Sequence, residues 1–216
     1  MARLDSAQRA TILEAAIPVF AAQGLDGASI RAITKGAGVN SALMYYYFED
    51  KRTLFVEALR FVVRGMVDHL GQSARDFASG RERLSFLVNG VLDYFEAHPD
   101  RLKLVGVATI LHADLLGQVM QGLVAEQIPL PITVLRAGME RGELRAGHPV
   151  QAWWSILGVC LYGLQIREVA KHLDPARLPM PLPTMAEKRE QIISLFCDGL
   201  ATPRPATAAK TKKAQR

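Results

Sequence analysis

Apolar residues recur at three- and four-residue spacing along almost the whole of this 216-residue chain. That period admits one kind of element. A helix turns by about 100° per residue, so positions three and four apart share a face, whereas a half-buried strand needs strict alternation. Alternating stretches are sparse here, so the expected fold class is all-α. Half of the residues are hydrophobic, enough to bury the core of one medium domain or two small ones.

Glycine, proline and capping residues divide the pattern. Asp5 or Ser6 starts a first helix that buries Ile12, Leu13, Ala16, Ile17 and Phe20, is kinked at Pro18 and stops at Gly24. Ser29 is placed to cap a short helix that ends at Gly36. The turn Ala37-Gly38-Val39 follows, and Asn40 caps another short helix reaching Tyr47. The spacing then predicts helices from Lys51 toward Phe77 and from Arg81 to Ala97, the second with a Ser79/Glu82 capping box, and another opening at Pro99. Periodicity from Ala113 to Met139 is broken by Pro129 and Pro131. Pro149 opens a very apolar helix to Lys171, and a Thr184/Glu187 capping box starts a last helix to Gly199. The expected division is 1–50, 51–200 and a disordered basic tail, 201–216.

Several function classes find no support. His69, His98, His112, His148 and His172 fall in no metal-binding spacing, no serine sits in a GxSxG elbow, and GAGVNS lacks the third glycine and preceding strand of a dinucleotide loop. No catalytic residue, metal or cofactor is therefore expected. Cys160 and Cys197 are too far apart for a CxxC motif and read as packing. The most apolar run, Trp153 to Ile166, is interrupted by Ser155, Gly158 and Gly163, which suits a buried helix rather than a membrane span. Asp5 and Glu14 break up any signal-peptide core, so a cytoplasmic protein without a membrane partner is expected. The net charge of +5 resides in the tail, on Arg204, Lys210, Lys212, Lys213 and Arg216, so charge alone argues little for nucleic acid.

The run MYYYF, residues 44–48, is more informative. If Met44 faces the core, Tyr45, Tyr46 and Tyr47 lie about 100°, 200° and 300° round the helix and cannot share its buried side. Ser41, Ala42, Tyr45 and Tyr46 then form one outward surface. Small residues there would let the helix enter a major groove closely, while tyrosine hydroxyls bond phosphates and ring edges meet thymine methyls. Tyr47, nearer the core, would wedge the helix and reach a phosphate at most. Lys51 is placed to neutralise a phosphate, and Arg31 to grip a guanine edge or a phosphate. The residues alone leave a second reading open, in which the tyrosines form a hydrophobic elbow that exposes only hydroxyls.

From Arg9 to Leu59 the chain resembles the TetR/AcrR family of transcription regulators. The segment ILEAAIPVFAAQGLDGASIRAITKGAGVNSALMYYYFEDKRTLFVEAL follows that family's first-helix, glycine, Ser-Ile, Ala-Gly-Val and Tyr-Tyr-x-Phe-x-x-Lys pattern. The resemblance implies an N-terminal three-helix, helix-turn-helix DNA-binding domain and a C-terminal helical domain that binds a small molecule and dimerises. By position, DNA contacts would fall on Ser29, Arg31, Asn40, Ser41, Ala42, Tyr45, Tyr46, Tyr47 and Lys51. The sequence departs from the pattern at Leu43, where a small hydroxyl residue is common, at Thr34, where alanine is, and at Tyr47, where histidine is frequent.

In the C-terminal region, the bulky and small residues of Gln151 to Lys171 suit close helix approach. On the residues alone this helix could either be plain intramolecular core or pair with its own copy beside the last helix in a twofold homodimer with a four-helix interface, and the resemblance favours the dimer. Polar or aromatic residues set in apolar helices are the effector-site candidates: Asn89, Tyr94, His112, Gln118, Gln121, Trp153, Tyr162 and Gln165. Together these lead to a homodimeric repressor of a pseudo-palindromic double-stranded DNA operator, released by a small apolar effector. The rival is a helical small-molecule binding protein or enzyme with no specific DNA affinity.

Overall fold

The computed structural model describes residues 2–72, 76–126 and 129–200, and among them finds ten α-helices and a single turn of 3-10 helix. The basic tail expected to be disordered lies outside the described residues. Helix α1 (Ala2–Gly27) begins upstream of the expected Asp5 start, since nothing there breaks it, and Asp5 therefore sits in its first turn rather than capping it. Backbone angles stay helical through Pro18 and depart only at Gly24, with φ 68°. Pro18 lies on the exposed face, where water can take the carbonyl that its missing N–H leaves. The predicted kink is thus moved to the glycine.

Helices α2 (Ile30–Ala37) and α3 (Ser41–Tyr47) are joined by a turn that only Gly38 makes easily. Its φ of 67° is left-handed, and it lets Gly38 and Val39 donate N–H groups to the carbonyls of Lys35 and Thr34. Asn40 caps α3 as expected, its Oδ1 accepting from the Leu43 amide at 2.8 Å. Ser29 occupies the cap position of α2 but makes no side-chain cap bond, which corrects the expectation for that residue.

Helix α4 (Lys51–Gln72) is followed by α5 (Gly80–Ala97), α6 (Pro99–Leu111), α7 (Ala113–Glu126), α8 (Leu130–Glu140), α9 (Pro149–Ala170) and α10 (Met185–Leu200). The Thr184/Glu187 box closes reciprocally. In the other box Ser79 accepts from Glu82, but the Glu82 carboxylate reaches Ala78, one residue before the cap.

Helix α4 is shared by both halves of the chain. It packs on α1 on one side and on α5, α7 and α8 on the other, while α6 also lies along α1. Phe55, fully buried in the first turns of α4, meets Phe20 edge-on at 5.0 Å and His112 at the α6–α7 corner at 5.1 Å. Burying a side chain of this size contributes about 1.5–3 kcal/mol. Its ring ties the three N-terminal helices to the rest through one continuous core.

Candidate nucleic-acid interface

Helix α3 is two turns long and is held by what it buries. Met44 is completely inaccessible and Phe48, directly after the helix, nearly so, while Tyr46 and Tyr45 are 74% and 52% exposed. Ser41 and Ala42 are exposed beside them. The structure therefore brings Ser41, Ala42, Tyr45 and Tyr46 onto one outward surface, on a helix fixed from behind and oriented by the Gly38 turn. Arg31 is exposed on α2, and Lys35, one turn on, shares its face. Lys35 was missed in the sequence because it lies outside the tyrosine motif, although its spacing from Arg31 marks it. Thr34 is buried, its hydroxyl donating to the Arg31 carbonyl at 3.3 Å.

The remaining positions are differently placed. Ser29 and Asn40 are exposed, and the Asn40 oxygen is occupied as a cap. The Lys51 ammonium donates to the carbonyls of Asp26 and Ala28, at 2.9 and 3.1 Å, so it closes the end of α1 onto the start of α4 and keeps one N–H free. Asp50, just before it, accepts from the Thr53 amide at 2.6 Å, and that bond to the first turn of α4 holds its carboxyl below the usual range. The Tyr47 hydroxyl donates to Asp5 on α1 at 2.5 Å. This hydrogen bond is the main cause that pushes its pKa up to about 12. Arg9, one turn further along α1, stacks on Phe48 at 5.2 Å and pairs with Glu57 of α4. No local pattern marks Asp5, Gln8 or Arg9 as supports of α3, because each meets its partner about forty residues away.

The effector candidates do not converge. Tyr94 is buried, donating to the Val62 carbonyl and accepting from Arg101, both at 2.8 Å, and burial raises its pKa. Trp153 is buried in α9, and His112 caps α6 against Phe55. Gln118 and Gln121 are exposed on α7, and Tyr162 and Gln165 are exposed on α9, where Gln165 leans over Gly106 of α6. Asn89 alone of the eight lines a groove of about 280 Å³ between α4 and α5, with His69, Phe86 and Asp93, and it accepts from Arg189 of α10. Helices α9 and α10 leave Trp154, Tyr162, Ile166, Val169 and Leu195 exposed.

No single helix among the described residues is long and apolar enough to cross a membrane. Residues 12–58 match the model of bacterial regulatory proteins of the tetR family. The HTH-type transcriptional repressor NicS of Pseudomonas putida is 29% identical over 158 residues, which cover 71% of this chain and 74% of that protein. The HTH-type transcriptional repressor KstR2 of Rhodococcus jostii is 27% identical over 203 residues, covering 92% and 93%. The crystal structure of FadR from Bacillus subtilis, in complex with stearoyl-CoA, superposes with a TM-score of 0.66 at 15% identity, covering 88% of this chain and 97% of that one. That likeness concerns the fold.

Proposed function

We propose that this chain, whose residues 12–58 match the tetR family of bacterial regulatory proteins, acts in the cytoplasm as a homodimeric repressor of a pseudo-palindromic operator, released by a small apolar effector. The observation that carries the reading is the outward face of α3. Ser41, Ala42, Tyr45 and Tyr46 are exposed together while Met44 behind them is fully buried. A surface of small and aromatic polar groups enters a major groove and offers hydroxyls to phosphates and ring edges to thymine methyls. Arg31, Lys35 and the free N–H of Lys51 flank it with positive charge.

A twofold axis formed by α9 and α10 would bury the exposed Trp154, Tyr162 and Val169 and set two copies of α3 in successive major grooves roughly 34 Å apart. For release, the effector must bind better to the conformation that does not fit DNA. The link offered to it is α6, which packs along α1, with Arg101 reaching Glu14 at 3.7 Å and stacking on Phe61 and Tyr94. An apolar-tailed effector is supported by the stearoyl-CoA bound to the similarly folded FadR. No catalytic role is proposed.

The test is selection of bound genomic fragments by the purified protein, followed by titration of the enriched site at two salt concentrations. An inverted repeat that remains bound at the higher salt is expected. Tyr46→Ala should weaken its binding at least about tenfold with the fold intact. Saturating long-chain acyl-CoA should then lower operator affinity by about 5–150-fold. Binding that is blind to sequence and vanishes with salt would sink the operator reading.

A further inference from the structure

Tyr47 ends the helix whose outer face is proposed to read DNA, and its position is one that the family resemblance assigns to DNA contact. Its surroundings point elsewhere. A tyrosine hydroxyl carries one proton. Here that proton goes to Asp5 Oδ1 at 2.5 Å, and Gln8 Oε1, a second acceptor, lies 3.2 Å from the Tyr47 hydroxyl oxygen. A phosphate oxygen needs a donor, and it would have to take this one from a carboxylate while lying beside that carboxylate's negative charge. The ring is half-buried and packs edge-on against Tyr46 with centroids 5.1 Å apart, and the hydroxyl's bonds to Asp5 and Gln8 direct the side chain from α3 onto α1.

The next residue behaves in the same way. Phe48 is buried and lies under the guanidinium of Arg9, which pairs with Glu57 of α4. Asp5, Gln8 and Arg9 are spaced three and four apart, on one face of α1. One face of α1 therefore grips both the last residue of α3 and the residue after it, opposite the end held by the Asn40 cap. Few contacts are available to fix the direction of a two-turn helix, and a hydrogen bond at its last residue has the longest lever on it.

We propose that Tyr47 is a positioning residue rather than a phosphate ligand: with Asp5 and Gln8 it anchors the C-terminal end of α3 to α1 and so sets how the Ser41–Tyr46 face meets the operator. The proposal rests on the operator-binding reading of that face. It removes one residue from the predicted contact set and adds two, Asp5 and Gln8, that act without touching DNA.

The experiment is a double-mutant cycle on the full-length protein. Operator affinity is measured by fluorescence anisotropy at raised salt for wild type, Tyr47→Phe, Asp5→Ala and the double variant. Hydrogen exchange of the α3 amides is followed in each DNA-free protein, and Tyr46→Ala serves as the reference for the outward face. Each single variant should weaken binding by about three- to tenfold, the effect of one hydrogen bond. The double variant should be no worse than either single one. Both single variants should also speed exchange in α3 without DNA, which loss of a phosphate contact alone would not do.

Equal losses from Tyr47→Phe with and without Asp5 would show that the hydroxyl touches DNA and overturn the proposal. Tighter binding by Asp5→Ala beside weaker binding by Tyr47→Phe would overturn it too, and so would no change in either. If Tyr46→Ala leaves specific binding intact, the operator-face reading fails instead, and the exchange data still decide whether the anchor exists.

Discussion

Replacing Gly38 by alanine isolates the cost of one backbone conformation. Gly38 has φ 67° and ψ 27°, the left-handed region, and a Cβ built there would meet nothing within 4 Å. Alanine therefore brings no clash, only the penalty of a left-handed residue, roughly 1–2 kcal/mol. Part of this is offset because alanine also restricts the unfolded chain, by about 0.4–1 kcal/mol. A net loss of about 1 kcal/mol corresponds to a fall in Tm of about 2–4 °C for a chain of this length.

The turn itself should hold under that strain. Ile33 on α2 and Met44 on α3 are both fully buried, so swinging either helix to relieve one residue would expose more than it saves. Urea denaturation and operator titration, performed together, examine both halves of this reasoning. Gly38→Ala should lower stability by about 1 kcal/mol and leave operator affinity unchanged well below Tm, and Gly38→Asn should cost less, since asparagine tolerates the left-handed region. Three results would refute it: Ala equal to Gly, Asn as costly as Ala, or a loss above about 3 kcal/mol, which open space around the site does not permit.

A second glycine should behave in the opposite way. A Cβ on Gly80 would lie 2.4 Å from the backbone oxygen of Glu143 and 2.9 Å from Leu144, so Gly80→Ala should cost roughly 3 kcal/mol through overpacking; a urea midpoint as mild as that of Gly38→Ala would contradict the close approach. The nearby pair Arg83–Glu143, 2.6 Å apart, predicts a pH dependence. The hydrogen bond from Arg83 holds the Glu143 carboxyl below its ordinary value of 4.5, so the folded state takes up the proton less readily than the unfolded one. The stabilisation is complete above 4.5 and disappears as pH falls through the lower folded value. Tm measured across this acid range should fall less steeply in Glu143→Gln than in wild type, and parallel curves would show the pair to be uncoupled from folding.

What was legible in the sequence follows from distance along the chain. The caps at Asn40, Ser79 and Thr184 involve partners three residues away, so pattern alone located them. The outward face of α3 needed only helical angles and one buried reference, Met44. Lys51 and Tyr47 were legible as positions but not as contacts, since their partners Ala28 and Asp5 lie 23 and 42 residues away. Residue type alone marks the effector candidates, as polar or aromatic groups in apolar helices. That criterion cannot separate a cavity wall from a satisfied core group such as Tyr94, whose hydroxyl is taken up by Val62 and Arg101.

The same geometry separates the residues that set stability from those proposed to set recognition. Met44, Phe48, Phe20 and Phe55 are essentially buried, and each contributes on the order of 1.5–3 kcal/mol to the N-terminal core. Tyr46, at 74% exposed, sits where substitutions usually change stability by less than about 0.5 kcal/mol. On the proposed reading, residues 41, 42, 45 and 46 can therefore change which operator is read without disturbing the helix that presents them. Tyr47 belongs to neither group. Its ring is half-buried and its hydroxyl reaches Asp5 on α1, so a substitution there acts on recognition through the direction of α3. Variants altered on the outer face should change operator preference at constant orientation, whereas variants at Tyr47 or Asp5 should weaken every operator to a similar degree.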